Sequence, residues 1–291
     1  MKINIRQIGI FIVILSACIV IWLAATAATY RSLSQEASPS SSTMSAPTPN
    51  TPTPTPVVTP TPAPDRSAFA VTPGNVPGNF TMSDEKIVYL TFDDGPSSKT
   101  QAVLDVLDRY GIKATFFVTG LSPDHAPMIK TAYDKGHTIG LHTMSHNYAT
   151  VYASPEAYFA DLDAIGQVVA EQIGYVPCFI RFPGGSSNTI SANYTKGIMT
   201  TLTAEVNARG YQYYDWGGSV GDGAEKTVDE LIAQGTGFGQ TNNLILLMHD
   251  SETKQNTVDA LPAIIGYYLS QGYTFRAIDR DSYVPHHKVH N

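Results

Sequence analysis

Cysteine, basic charge and tryptophan are all scarce in this chain. Only 2 cysteines occur in 291 residues, Cys18 in an apolar N-terminus and Cys178 far downstream, so the globular part has no internal disulfide and must be held by its core. Cys178 sits in Val176-Pro177-Cys178-Phe179-Ile180, a run that suits a small buried residue better than a reactive thiol. Four of the 18 basic and two of the 25 acidic residues precede Met82, which leaves 14 against 23 and a net charge of −9 on the remainder. Nucleic-acid binding needs clustered Lys and Arg, and none are present. Nor does a Gly-rich dinucleotide fingerprint follow the first strand-like run, which argues against an open nucleotide-binding sheet.

What is present divides into four stretches. Residues 1–30 carry Lys2 and Arg6 and then no charge from Gln7 to Tyr30. Ile8 to Ala28 is apolar enough to cross a hydrocarbon core of roughly 30 Å as a helix. A signal-anchor with its short basic end in the cytoplasm is expected, which makes the protein a single-pass membrane protein with an extracellular catalytic domain. A cleaved signal ending near Ala24-Ala25-Thr26-Ala27 and a lipoprotein signal at Leu15-Ser16-Ala17-Cys18 are the alternatives, and all three export the rest. Residues 31–81 are rich in Ser, Thr and Pro, with eight prolines from Pro47 to Pro64. Such a stretch buries no core and extends at ~3.1 Å per residue, a disordered, semi-rigid linker that reaches on the order of 50 Å. Residues 82–284 have ordinary globular composition and the size of one catalytic domain. Residues 285–291, with His286, His287 and His290, read as a disordered tail.

Within the globular stretch, β-branched and aromatic runs alternate with helical periodicity. Strands are expected near residues 87–92, 114–119, 138–141, 179–182, 211–215, 243–249 and 274–278, and helices near 100–110, 126–135, 155–173, 191–209, 227–234 and 257–271. Seven strands with a helix in each gap predict a parallel α/β barrel, whose reacting groups gather at the C-terminal ends of the strands.

Four short motifs fall at such ends. Asp93 and Asp94 are adjacent in Thr91-Phe92-Asp93-Asp94-Gly95, so their side chains leave the strand in different directions: one can bind a metal and the other act as a base. Alone, Asp-Asp-Gly after a strand is a turn. His142 and His146 are four apart and can share one face of a helical turn, and neutral imidazole is a common zinc ligand. Arg181 opens Arg181-Phe182-Pro183-Gly184-Gly185, and His249 lies in Leu247-Met248-His249-Asp250. Together these residues are the inventory of a metal-dependent hydrolase.

In this order and spacing the motifs resemble those of the polysaccharide deacetylase family, also called the NodB-homology or carbohydrate esterase family 4 fold, over roughly Asp84 to Ile278. The resemblance implies a deformed (β/α) barrel that removes N-acetyl groups from peptidoglycan or a chitin-like polymer. It implies Asp94, His142 and His146 as ligands of a divalent metal, zinc or else cobalt, nickel or iron. Asp93 becomes the general base, Arg181 its partner and His249 the general acid. An Asp-x-x-Asp-Trp segment of the family has no clean match. Asp222, followed by Gly223 in place of the tryptophan, is the expected partner of His249, with Asp215 of the literal Asp215-Trp216 as runner-up. Leu247, Pro183, Gly184 and Trp216 are the expected substrate-binding residues. A polysaccharide substrate and the membrane are the partners implied, with no nucleic acid and no protein partner. An O-acetyl esterase or small-amide hydrolase on the same fold, and a non-catalytic glycan-binding relative, are the competing functions.

Overall fold

In the computed structural model, which describes residues 66–290, the first strand, β1 (Ile87–Asp93), sets the layers by its alternation. Val88, Leu90 and Phe92 point to one buried face, Ile87 and Tyr89 to the other. Both faces are apolar, as a parallel strand covered on both sides requires. Seven further strands follow: β2 (Thr115–Val118), β3 (Thr138–Leu141), β4 (Phe179–Ile180), β5 (Gln212–Tyr213), β6 (Gly218–Ser219), β7 (Leu244–His249) and β8 (Thr274–Phe275). Their pairings are all parallel, in the order β5-β4-β3-β2-β1-β7-β6, with β8 alongside the start of β1.

The helices are α1 (Thr100–Tyr110), α2 (Pro127–Asp134), α3 (Tyr148–Val151), α4 (Pro155–Ile173), α5 (Ile198–Ala208), α6 (Val228–Gly235) and α7 (Gln255–Ser270). Their apolar faces meet Val88, Leu90, Phe92, Leu246 and Met248 in the larger core. The smaller core, with Ile87, Tyr89, Phe117, Phe179, Tyr214 and Ile245, fills the concave side of the sheet.

The sheet is a curled half-barrel rather than a closed ring, because β5 and β6 are its two ends and do not pair. Terminal segments fill the concavity instead. Phe69 and Val71 from one end and Ile278 and Val284 from the other join the smaller core. Val71 donates to the Val176 carbonyl at 2.8 Å and Val284 to that of Asn79 at 2.8 Å. Thus residues 66–81, expected as the last part of a disordered linker, are a structural strap. The expected disordered tail is packed as well: His286 stacks on Tyr213 with ring centroids 3.7 Å apart.

Among the elements that also differ from expectation are one helix and one strand. The long helix expected over residues 191–209 is broken into a short 3-10 turn and α5, because Gly197 takes a left-handed φ of 77° at the N-cap. The two-residue strand β6 went unforeseen, since Gly218–Ser219 carries no alternation to read. No helix among the described residues is long and apolar enough to cross a membrane. The expected N-terminal span and the linker up to residue 65 lie outside those residues.

Candidate active site

The inner face of β1 runs Ile87, Tyr89, Thr91, Asp93, and that of β7 runs Ile245, Leu247, His249. Register places Thr91 beside Leu247 and Asp93 beside His249. Each column therefore begins in the apolar core and ends in a polar group at the C-terminal edge of the sheet. A cleft of about 460 Å³ opens there, and Asp93, Asp94, His142, His146, Leu247 and His249 all line it.

Asp93 is buried, 2% exposed, and its Oδ1 accepts from Arg181 Nη1 at 2.7 Å. Arg181 is itself fully buried and fixed on every side. It donates to the Thr91 hydroxyl at 2.8 Å, the Tyr214 carbonyl at 2.9 Å and the Asp215 carbonyl at 3.2 Å, and its guanidinium lies over the Phe117 ring. Burial raises the Asp93 carboxyl above the ordinary carboxylate value, with Arg181 opposing. Asp93 Oδ2, which Arg181 leaves free, faces His142 Nε2 at 3.7 Å.

Asp94 takes a left-handed φ of 70°, a region in which aspartate is enriched, and this turns its carboxylate to the other side. Its Oδ1 lies 3.6 Å from His142 Nε2 and 3.4 Å from His146 Nε2. That oxygen is buried without a hydrogen-bond partner, which a native interior tolerates only for a reason. One atom from each of the three residues lies within 4.8 Å of the others. His142 Nδ1 donates to the Arg181 carbonyl at 2.7 Å, which leaves the Nε2 lone pair facing the group. Burial, then His146, lowers the His142 pKa to about 3, so the ring is neutral as a ligand must be. Two imidazoles and a carboxylate with an orphaned oxygen fit a divalent metal ion.

The two histidines do not share a helical turn. Thr143 and His146 have φ of 71° and 46°, so the segment is an irregular loop. Asp161 on α4 holds it, its Oδ1 accepting the Met144 N–H at 2.6 Å and the Ser145 N–H at 3.0 Å.

Asp222 meets His249 twice, accepting from its backbone N–H at 2.8 Å and pairing with Nδ1 at 2.8 Å. Thr257 on α7 donates a third bond, at 2.8 Å. Burial works against a charged imidazole, but the hydrogen bond and charge of Asp222, helped by Asp93 and Asp94, lift the His249 pKa to about 9. Burial also opposes the Asp222 carboxylate, yet His249 and Thr257 hold its pKa below the ordinary value.

Asp215 is elsewhere. It accepts from the Ser186 N–H at 2.8 Å, the Ser186 hydroxyl at 2.5 Å and the His287 N–H at 2.8 Å, and so ties the loop after β4 to the C-terminal strap. Trp216, Leu247 and Gly184 line the cleft, whereas Pro183 is buried behind it and offers only its carbonyl to the Tyr152 hydroxyl, at 2.6 Å. Gly184, at φ 75°, needs to be glycine: a Cβ there would lie 2.5 Å from the Tyr148 hydroxyl.

Thr91, Tyr148, Asp161, Asp250 and Lys254 also build the site, although the motifs assign them no role. Tyr148 lines the cleft edge-on to His146. Asp250 is buried against the turn after Asp94, accepting from the Thr100 hydroxyl at 2.6 Å, and burial lifts its pKa to about 7. Thr91 and Asp250 carry a sequence signal, by their places in two of the motifs, and Tyr148, Asp161 and Lys254 carry none.

Residues 81–201 match the model of the polysaccharide deacetylase family. The chain is 32% identical over 216 residues to a peptidoglycan-N-acetylglucosamine deacetylase of Bacillus cereus, covering 72% of this chain and 75% of that protein. The catalytic domain of a peptidoglycan N-acetylglucosamine deacetylase from Eubacterium rectale superposes with a TM-score of 0.69 at 42% identity, over 78% of this chain and all of that one. A polysaccharide deacetylase from Bacillus cereus does so with a TM-score of 0.61 at 30% identity, over 69% and 96%. By likeness that extends over most of both chains, this protein belongs to the polysaccharide deacetylase family.

Proposed function

We propose that this polysaccharide deacetylase hydrolyses the N-acetyl amide of N-acetylglucosamine residues in peptidoglycan, with a divalent metal ion, zinc foremost, held by Asp94, His142 and His146. The register that puts Asp93 beside His249, one paired with Arg181 and the other with Asp222, carries this reading. It supplies a base and an acid of different protonation at the mouth of one cleft. A bound ion of this kind polarises the acetyl carbonyl and acidifies water.

The chain's own groups do the rest. Arg181 fixes Asp93 so that Oδ2 accepts the proton of the attacking water. Nδ1 of His249 is engaged by Asp222, so Nε2 carries the proton that the departing amine requires. Gly184 lines the cleft, and its backbone N–H, which makes no backbone hydrogen bond among the described residues, is the donor assigned to the developing oxyanion in this proposal. Trp216 and Leu247 wall the acetyl methyl away from water.

The names of the B. cereus and E. rectale proteins support peptidoglycan as the substrate. The apolar stretch from Ile8 to Ala28 supports action outside the cytoplasm, on a membrane tether. The purified protein, stripped of metal and reloaded with zinc or cobalt, is expected to release acetate from peptidoglycan strands. Release from chitin oligomers alone overturns the substrate, and release unaffected by stripping overturns the metal. Recovery of the full-length protein in the soluble cytoplasmic fraction overturns the tether.

A further inference from the structure

We propose that Gly223 opens the reactive cleft into a second cleft of about 560 Å³, and that this second cleft binds the peptide branch of a peptidoglycan strand. The proposal rests on the peptidoglycan reading above.

The two clefts adjoin along a shared wall. Gly223, Thr253 and Lys254 line both, while Asp222, the partner of His249, lines the second. Because Asp222 pairs with His249, Gly223 is the residue standing where the family resemblance places a tryptophan. A Cβ on Gly223 meets nothing within 4 Å, and its φ is outside the left-handed region, so a side chain can start here without a clash or backbone strain. Gly223 is also exposed. What an indole would wall off is here a passage.

The walls of the second cleft say what enters. Glu225, Lys226, Glu230 and Lys254 line it, and no aromatic ring does. A bare glycan finds no ring face to stack on. A peptide branch, with free carboxylates and an amine, finds partners of both signs. Such a branch hangs on the sugar next to N-acetylglucosamine in peptidoglycan, so a strand seated with its acetyl group at His249 has a branch close to the passage. Lys254 is fixed at the boundary, donating to the Asp222 carbonyl at 2.6 Å. Glu225 is exposed and is the acid available to an incoming amine.

Two variants of the full-length protein test this, Gly223→Trp, which fills the passage, and Glu225→Lys, which reverses a charge within the second cleft. Acetate release is measured on peptide-bearing strands and on the same strands after an amidase has removed the peptides, and the readout is the ratio of the two kcat/KM values. The ratio is expected to fall about tenfold in Gly223→Trp and several-fold in Glu225→Lys. An unchanged ratio in both variants, with the wild type active on both strands, overturns the proposal alone. Equal losses on both strands overturn the peptide as occupant and assign the second cleft to sugars of the glycan chain. A wild type that releases no acetate from either strand removes the peptidoglycan reading and the proposal with it.

Discussion

Asp93 and Asp94 are chain neighbours with opposite surroundings. Asp93 continues the inner column of β1 and is sealed by Arg181, while the left-handed backbone at Asp94 swings its carboxylate towards two imidazoles. Asp93→Asn is therefore expected to lower kcat by about 10²–10⁴, the usual range for a general base, with bound zinc retained in metal analysis. Asp94→Ala or His142→Ala should lose metal and activity together. Equal metal loss in Asp93→Asn would contradict the division of labour. The Asp222–His249 pair predicts a pH effect. His249, lifted to about 9, holds its proton through neutral pH and loses it as pH rises through that value. In Asp222→Asn the burial that depresses the imidazole is no longer offset, so the alkaline fall of kcat/KM moves to lower pH. A pH–rate profile with an unmoved alkaline limb would refute the acid assignment.

These residues are legible in sequence because each motif sits where a strand ends, and chemistry restricts which residue types can stand there. The choice between Asp215 and Asp222 was not fixed by motif. The literal Asp-Trp belongs to Asp215, which the fold uses to bind Ser186 and His287, and only the contact of Asp222 with His249 separates the two.

At the scale of elements, α1 and α4 follow the expected bounds because their signals are local. Ser154 caps α4 by accepting the Ala157 N–H at 3.1 Å, and Pro155 opens its first turn. The loop from His142 to His146 had no such signal. Spacing of four residues is compatible with a helix, but the conformation is imposed by Asp161, sixteen to seventeen residues away, through two backbone amides. Asp161→Ala should leave the fold intact and weaken zinc binding about 10–100-fold, as loss of a supporting contact behind a ligand does. Calorimetric titration of the stripped protein measures this, and wild-type affinity in the variant would show that the loop holds itself.

At the scale of the molecule, the parallel α/β class was legible from the alternation of strands and helices, but the open seam between β5 and β6 was not. Closure depends on how many residues each strand contributes, and β5 and β6 contribute two each. The straps that fill the concavity lie beside low-complexity sequence on one side and the chain end on the other, where composition suggests no core. Removing residues 286–291 takes away the His286 stack on Tyr213 and the His287 N–H bond to Asp215. The expected result is a loss of roughly 1–3 kcal/mol of stability, the scale of leaving the buried Asp215 short of a donor. Since His287 also bonds the Trp216 carbonyl at 2.8 Å, KM should rise more than kcat falls. A truncated protein with wild-type melting temperature and KM would make the segment a mere appendage.

The pairing of β1 with β7 brings together residues some 156 positions apart, Asp93 with His249. A ribosome that has made only the first half of the domain has already produced Asp93, Asp94, His142, His146 and Arg181, yet Asp222 and His249 come later. Pairing residues this distant in sequence carries a loop-closure cost that slows folding. On the function proposed above, a chain that ends before β7 lacks His249 and with it the acid, however many of the candidate metal ligands it already carries, so turnover waits for the last third of the domain.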